Sequence, residues 1–347
     1  MPAPRVSYFG IEVTRRCNLH CPHCFTDAGG RAHPGPDQAA LAGLLADLAQ
    51  AGAETVAFSG GEPLLRRDLE EVMRAGRERG IARYTLVTNG YYAERERVQS
   101  LREAGLEAVQ VSVDGADAAD HVAVRACSPM DFYRALRAIR LFREAGIVVD
   151  VATIVCKSNV KRAAEMLLLC EALGVRSLRY CSFVPTGRAV DAKMRARFEV
   201  PAAALDELLE LLRAVKAQPD APLGVLIDHG IGPWQDDAAF RCDAGESVVY
   251  ISAEGDLYPC PGSIFEPFRV GNVWQTPLAD LLASPRMASV RCLERSGLTE
   301  PCRGCSIPDC TGGCRGAAYA LTGNVRAAPA YCNRFRRRPS KRETGRR

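Results

Sequence analysis

"SYFGIEVTRRCNLHCPHC", residues 7–24, joins an apolar run to three closely spaced cysteines, Cys17, Cys21 and Cys24. The run at 7–13 predicts a buried β-strand. Cysteine thiolates are soft ligands for zinc and iron. Four of them complete a tetrahedral zinc site or an iron–sulfur site, so three leave one position open. This stretch therefore predicts a strand that ends in an incompletely ligated metal site.

The chain continues with alternating strand and helix patterns up to about residue 218. Asp37 is expected at the start of the first helix and Gly52 at its end. Together the patterns predict six strand–helix units in succession. The predicted strands are 7–13, 55–60, 84–90, 108–115, 148–155 and 177–184, and the helices are 36–52, 67–80, 94–105, 131–146, 160–174 and 203–218.

Repeated strand–helix units imply parallel strands with right-handed crossovers. An open doubly wound sheet and a closed barrel both fit this pattern, and both place ligands at the carboxyl ends of the strands. Four polar stretches follow the first four predicted strands, so we expect them to form one active site. They are "CNLHCPHC" (17–24), "SGGEP" (59–63), "TNG" (88–90) and "SVDG" (112–115).

The composition is that of a globular protein without a membrane-spanning segment. The 347 residues are 47% apolar and 25% charged, as in ordinary globular proteins, and no apolar run is long enough to cross a membrane. The N-terminus lacks a signal peptide, so a cytoplasmic location is expected. Cytosolic thiols stay reduced, so the clustered members of the fifteen cysteines favour metal binding over disulfides.

After about residue 235 the strand–helix alternation gives way to short strands, turns and further cysteines. A boundary is expected between 220 and 240, and bound metal would stabilise so small a unit. Residues 333–347 hold eight basic residues and one glutamate, whereas the whole chain carries a net charge of +4. The body is therefore slightly acidic, a nucleic-acid partner is not expected, and 336–347 is predicted to be a disordered basic tail.

Several chemistries fit the first cysteine group taken alone. One is a structural zinc site that borrows His20 or His23 as its fourth ligand. Another is a [4Fe–4S] cluster with one open iron. A catalytic thiol fits less well, because three neighbouring cysteines suit ligation better than nucleophilic attack.

Over residues 6–220 the sequence resembles the radical S-adenosylmethionine (SAM) superfamily, on the cysteine triplet, "GGEP", "TNG" and "SVDG" taken together. The resemblance implies a partial (β/α)6 TIM-like barrel. It also implies a [4Fe–4S] cluster whose open iron binds SAM and cleaves it reductively to a 5′-deoxyadenosyl radical. His23 stands where the family often has an aromatic residue. The residues implied to bind SAM are Gly60, Gly61, Glu62 (to its amino group), Pro63, Asn89, Ser112 and Asp114 (near its ribose).

Residues 242–332 resemble the SPASM extension of radical SAM enzymes, which holds two auxiliary iron–sulfur clusters. The gap between Cys305 and Cys310 is one residue shorter than the family pattern. By resemblance, four cysteines close one cluster and three hold the other, whose fourth iron is then open. The four are Cys302, Cys305, Cys310 and Cys332, and the three are Cys242, Cys260 and Cys314. Cys127, Cys156, Cys170, Cys181 and Cys292 show no ligand spacing.

The expected organisation is a radical SAM core at 1–225, a SPASM domain at 235–335 and the tail at 336–347. The resemblance implies an enzyme that crosslinks, decarboxylates or oxidises a ribosomally made peptide or protein. A separate leader-binding protein and a flavodoxin or ferredoxin electron donor are the implied partners. A tetrapyrrole-modifying enzyme of the heme pathway and an iron–sulfur electron-transfer protein are the alternatives, and a zinc-stabilised binding scaffold is a third.

Pro261 follows Cys260, whereas sulfatase-type maturases of this family carry an aspartate at that position as the general base. Proline cannot accept a proton, and the nearest acid, Asp256, lies four residues earlier. The chain is therefore not expected to be a sulfatase-type maturase, and its general base is not identified.

Replacement of Cys17, Cys21 and Cys24 together by alanine is predicted to abolish SAM cleavage and to leave the SPASM clusters in place, because the two cysteine groups lie in separate segments. The measurements are 5′-deoxyadenosine formation under dithionite and iron content. Continued 5′-deoxyadenosine formation by the triple variant would refute the assignment.

Overall fold

A computed structural model describes residues 6–29, 33–218, 221–228, 242–291, 293, 295–308, 310–329 and 332. Within these ranges ten strands form one sheet, in the order β10-β9-β8-β1-β2-β3-β4-β5-β6-β7. The strands are β1 Tyr8–Glu12, β2 Thr55–Ser59, β3 Arg83–Thr88, β4 Leu106–Ser112, β5 Val148–Val155, β6 Ser177–Ser182, β7 Gly224–Ile227, β8 Val248–Ile251, β9 Asp256–Tyr258 and β10 Gly271–Asn272. The α-helices are α1 Gln38–Gln50, α2 Leu69–Glu78, α3 Arg95–Glu103, α4 Ala118–Arg125, α5 Pro129–Glu144, α6 Ala163–Ala172, α7 Ala192–Phe198, α8 Ala202–Lys216, α9 Leu278–Ala283, α10 Pro285–Arg291 and α11 Arg315–Thr322.

Strands β1 to β7 pair in parallel in chain order, each with the next. All six predicted strands and all six predicted helices are present, and the predicted partial TIM-like barrel is confirmed. The sequence did not predict β7, which is only four residues long and pairs with β6, nor the short helices α4 and α7. Elements this short carry too few residues for a clear hydrophobic period.

The core lies between the sheet and its helices. Phe9 and Ile11 on β1 are buried with Leu45 on α1, and Phe58 on β2 stacks on Tyr84 of β3 with ring centroids 5.3 Å apart. This packing fixes where each strand ends, and so where its following loop begins.

The first helix begins and ends as the sequence predicts. The Asp37 carboxylate accepts the Ala40 N–H at 2.8 Å, which satisfies one of the unpaired donors of the first turn. Gly52 follows the helix with φ +86°, a conformation that favours glycine.

The cysteine-rich segment joins the barrel sheet at β1. Strand β8 pairs in parallel with β1, opposite β2, and turns back into the antiparallel β9. The Glu12 carboxylate, fully buried at the end of β1, accepts the Ala253 N–H at 3.0 Å from the β8–β9 turn. Arg15 pairs with Glu254 of that turn at 3.1 Å. The loop with the first cysteine group is thus bound to the unit with the second.

Throughout the described part of the chain, each helix is too short or too polar to span a bilayer. The domain limits at residues 225 and 235 stay predictions. The basic tail at 336–347 lies outside the described residues.

Candidate active site

The three cysteines of the first group follow β1, and donors surround their sulfur atoms. The Leu19 N–H donates to Cys17 Sγ at 3.4 Å, and the Ala28 N–H donates to Cys24 Sγ at 3.3 Å. The Arg125 guanidinium lies 3.8 Å from the sulfur of Cys21. Donors and positive charge beside sulfur stabilise the thiolate form that binds metal.

Burial, assisted by the Glu62 carboxylate and the Cys21 and Cys24 thiols, raises the pKa of the Cys17 thiol to about 12. The two neighbouring thiols act on it because all three are close together. Metal binding would displace the proton that Cys17 holds at neutral pH. The cysteines therefore fit a metal centre better than a free thiolate nucleophile.

A single metal ion needs ligands that converge on one point, whereas each cysteine of a [4Fe–4S] cube binds its own iron. Within the described ranges, no three Cys, His, Asp or Glu side chains converge on one point as ligands of a single metal ion. His20, one of the two histidines considered as zinc ligands, is exposed. The other, His23, packs edge-on against Phe198 with ring centroids 5.5 Å apart. The arrangement fits the iron–sulfur cluster.

The loop after β6 holds the cysteine loop through Arg188. Its guanidinium donates to the Cys21 carbonyl at 2.6 Å, to the Ala28 carbonyl and to the Asp27 carboxylate at 2.9 Å. Gly187 has φ +56°, and a Cβ there would lie 2.4 Å from the Cys24 carbonyl oxygen. A larger residue at 187 would push the two loops apart.

The "GGEP" loop packs directly on the cysteine loop. The Gly61 N–H donates to the Thr14 carbonyl at 2.7 Å, and the Glu62 N–H donates to the Arg16 carbonyl at 2.9 Å. A Cβ on Gly61 would lie 2.2 Å from the Arg16 carbonyl oxygen. The structure shows that Gly61 approaches the backbone ahead of Cys17.

Glu62 is completely buried and joins two strand ends. Its carboxylate accepts the Leu64 N–H at 3.0 Å, the Thr88 hydroxyl at 2.7 Å and the Asn89 N–H at 2.8 Å. Burial raises the pKa of Glu62, and these three donors oppose the rise. Pro63 follows, also buried, at the start of the 3-10 turn Pro63–Leu65. A contact between Glu62 and the SAM amino group stays a prediction.

Asn89 lies beside the first cysteine. Its side-chain amide donates to Asn18 Oδ1 at 3.0 Å and lies 3.9 Å from Cys17 Sγ. The "TNG" loop is thus brought against the cysteine loop, as the sequence predicts for a shared site.

Asp114 is 1% exposed, and both its carboxylate oxygens are occupied. Arg125 donates to one oxygen at 2.5 Å, and the Ile154 N–H donates to the other at 2.7 Å. Burial alone would raise the pKa of Asp114, but the nearby Arg125 charge lowers it overall. This carboxylate orients Arg125 toward Cys21, and its contact with the SAM ribose stays a prediction. Ser112, half-buried at the end of β4, stays a predicted ribose contact.

Three cysteines of the second group lie around one cavity, and the division of the seven between two clusters stays a prediction. Cys242, Cys260 and Cys314 line a cavity of about 190 Å³, whereas one water needs only ~10–15 Å³. Burial, together with the neighbouring Cys314 and Cys242, raises the pKa of Cys260 to about 12. The cavity is therefore large enough for a group of many atoms.

Burial also raises the pKa of Cys302 to about 11, with further contributions from its companions Cys332, Cys310 and Cys305. Among the cysteines without ligand spacing, Cys156 and Cys170 are fully buried. Cys292 lies outside the described residues.

The fold and this cysteine loop define a class of iron–sulfur enzyme built on a partial barrel, and comparisons with known proteins agree. Residues 11–170 match the radical SAM superfamily, and 242–306 match the SPASM iron–sulfur cluster-binding domain. The PqqA peptide cyclase of Methylocella silvestris is 31% identical over 337 residues, covering 93% of this chain and 86% of that protein. The AdoMet-dependent heme synthase of Nitratidesulfovibrio vulgaris is 28% identical, covering 95% and 93%.

Two solved structures share the fold. Streptococcus suis SuiB bound to S-adenosylmethionine has a TM-score of 0.74 at 17% identity and covers 95% of this chain and 78% of its own. Native anSMEcpe with bound AdoMet has a TM-score of 0.76 at 17% identity and covers 95% of both. The chain belongs to the radical SAM superfamily, and it carries a SPASM domain. It is an enzyme that uses SAM and iron–sulfur clusters.

Sequence reasoning missed Arg125 and Arg188, both of which contact the cysteine loop from distant parts of the chain. Neither has a distinctive spacing from Cys21, because the contacts span 104 and 167 residues. Only the position of Arg188 could have indicated its role. It follows the end of a predicted strand, and functional residues lie at the carboxyl ends of the strands in this fold.

Replacement of Glu62 by alanine is predicted to weaken SAM binding at least tenfold and to lower the melting temperature. The buried donors of Thr88 and Asn89 would lose their acceptor, at about 1–3 kcal/mol for each unsatisfied group. Equilibrium SAM binding and thermal unfolding test this, with the exposed Glu78→Ala as control. Unchanged SAM affinity in Glu62→Ala would contradict it.

Replacement of Arg188 by methionine is predicted to release the iron of the SAM-cleaving cluster and to retain the SPASM iron. Each hydrogen bond from a charged donor contributes about 1.5–3 kcal/mol, and this variant loses three to the cysteine loop. Iron per chain after gel filtration should fall to the level of the triple cysteine variant. Arg195→Met, which removes a surface pair with Glu199, serves as control. Full iron content in Arg188→Met would show that this contact is dispensable.

Proposed function

We propose that this enzyme oxidatively modifies a ribosomally made peptide or protein by crosslinking, decarboxylating or oxidising it. The observation that carries the proposal is the 31% identity to a PqqA peptide cyclase along 93% of this chain. The solved structures of the same fold include SuiB bound to the precursor peptide SuiA. That structure speaks for the fold alone at 17% identity, and it makes a peptide a reasonable first substrate to test.

The residues of the first site have two roles, as ligands of the cluster and as supports of the cysteine loop. Cys17, Cys21 and Cys24 would hold the [4Fe–4S] cluster, which together with SAM would supply the radical chemistry that removes a hydrogen atom from the substrate. Arg188 and Arg125 fix the loop and its sulfur atoms from two sides.

The SAM side of the site is formed by the loops after β2, β3 and β4. Gly60, Gly61, Glu62 and Asn89 adjoin the cysteine loop there, and Ser112 lies at the end of β4. We assign these residues to SAM, whose position their mutual hydrogen bonds would hold before binding.

An oxidative product requires that the substrate lose one more electron and one proton after the hydrogen atom has left. We assign the electron to the SPASM clusters, one held by Cys302, Cys305, Cys310 and Cys332 and the other by Cys242, Cys260 and Cys314. Three cysteine ligands would leave one iron of that cluster to bind substrate or another ligand. A flavodoxin or ferredoxin would supply the electron for SAM cleavage, and a separate protein would present the leader of the peptide in the cytoplasm.

Formation of formylglycine, as in sulfatase-type maturases, is not part of the proposal. Pro261 stands after Cys260 where those enzymes need a base. Asp256, the nearest acid, pairs with Arg269 at 2.8 Å and accepts from Asn272 at 2.9 Å. Its carboxylate is therefore already engaged.

The heme pathway is the second candidate, because the heme synthase of Nitratidesulfovibrio vulgaris matches nearly the whole of both chains. A tetrapyrrole and a peptide place opposite demands on the site, since one is a rigid carboxylated macrocycle and the other a flexible chain. Substrate-dependent SAM cleavage separates the two.

The prediction is that a peptide encoded by a short reading frame beside this gene raises 5′-deoxyadenosine formation at least tenfold, and that a tetrapyrrole does not. The protein is reconstituted anaerobically and assayed with SAM and dithionite. The peptide should lose hydrogen or carbon dioxide by mass spectrometry, and deuterium from it should appear in 5′-deoxyadenosine. A scrambled peptide and the triple cysteine variant are the controls. Stimulation by the tetrapyrrole alone would overturn the peptide proposal in favour of the second candidate.

A further inference from the structure

Arg315 follows Cys314 at the start of α11 and is 7% exposed. Its guanidinium donates to the backbone carbonyls of Ala327 at 2.8 Å, Val325 at 3.2 Å and Gly313 at 3.3 Å, and to that of Gly312. Four acceptors on two separate backbone segments hold this side chain in one position.

Those two segments carry cysteines of both auxiliary sets. Gly312 and Gly313 lie between Cys310 and Cys314. The segment 325–327 accepts the Thr299 N–H at 2.9 Å, three residues before Cys302, and leads on to Cys332. Arg315 also lines the cavity formed by Cys242, Cys260 and Cys314. Arg315 therefore adjoins one cysteine set at the cavity and is hydrogen-bonded to backbone segments that lead to cysteines of the other.

The electrostatic environment of Arg315 is set by sulfur. Burial lowers its pKa, and the cysteines that oppose this effect come from both sets. They are Cys302, Cys314, Cys242 and Cys310.

Among the described residues no carboxylate forms an ion pair with Arg315, whose hydrogen-bond partners are neutral carbonyls. A buried charge without a counter-charge is strongly destabilising. Thiolate-ligated iron–sulfur clusters are anionic, and reduction adds one more negative charge. A fixed positive charge beside such a cluster therefore favours its reduced state.

We propose that Arg315 is the shared counter-charge of the two auxiliary clusters and raises the reduction potential of both. It is a positioning and tuning residue and contacts no substrate. The proposal rests on the SPASM clusters and is independent of the substrate. It can therefore fail while the proposed function stands, and it can stand while the proposed function fails.

The test is a potentiometric titration of the auxiliary clusters, followed by electron paramagnetic resonance. The Cys17, Cys21 and Cys24 to alanine background removes the SAM-cleaving cluster, so every signal comes from the SPASM clusters. Arg315→Gln removes the charge and keeps a donor, and Arg315→Lys keeps the charge and loses the planar fork. Arg326→Gln is the matched control, since Arg326 is exposed on the same segment and solvent screens its charge.

In Arg315→Gln the ratio of reduced to oxidised cluster at a fixed potential should fall at least tenfold for both clusters. That change is about 59 mV for a one-electron couple. Arg315→Lys should stay close to the parent, and Arg326→Gln should not differ from it.

Unchanged midpoints in an Arg315→Gln variant with full iron content would overturn the proposal. If Arg315→Gln loses its iron, Arg315→Lys decides. Retention of both clusters at parental potentials in Arg315→Lys supports the counter-charge. Loss of iron in both Arg315→Gln and Arg315→Lys, or equal downward shifts of the potentials in both, shows that Arg315 acts only through its hydrogen bonds.

Discussion

Strand β1 is hydrogen-bonded on both edges, and the placement of every site in the molecule follows from that constraint. On one edge, β2 ends in the glycine loop whose N–H groups pair with the backbone before Cys17. On the other, β8 opens the cysteine-rich segment, whose turn binds Glu12. With both edges paired, the end of β1 cannot shift independently. The SAM-cleaving cysteines and the SPASM unit therefore take their relative position from one strand.

The candidate active site is made of loops, yet its polar groups are fixed by one another. Glu62 joins the ends of β2 and β3, and Asp114 holds Arg125 against Cys21. Each of these carboxylates is buried, where an unsatisfied charge would be expensive, and each is satisfied by specific donors. The arrangement is preorganised, since groups of the protein itself supply these donors. A radical enzyme gains from this, because a reactive species is best generated where the surrounding groups need not move.

The sequence predicted what local signals encode. Alternating strand and helix patterns and the Asp37 cap are local signals, formed by residues close together in the sequence, and the structure agrees with the six units and the cap. The sequence did not predict β7, which is too short to show a hydrophobic period. It also did not predict the hydrogen bond from Arg188 to the Cys21 carbonyl, which joins distant parts of the chain. For Asp114 it found a polar residue at the right strand end. Its partners, Arg125 and Ile154, are set by tertiary packing and could not be read from the sequence.

The β8–β9–β10 extension also changes what the sheet presents to other molecules. A barrel that stopped at β1 would leave a five-residue strand with unpaired N–H and C=O groups, an available template for pairing with a second chain. Here that edge is covered, and the sheet finishes on this side with β10, which is two residues long. Short terminal strands discourage such pairing. The cysteine-rich segment thus protects the barrel against self-association as well as holding clusters, and a barrel severed from it would be prone to aggregate.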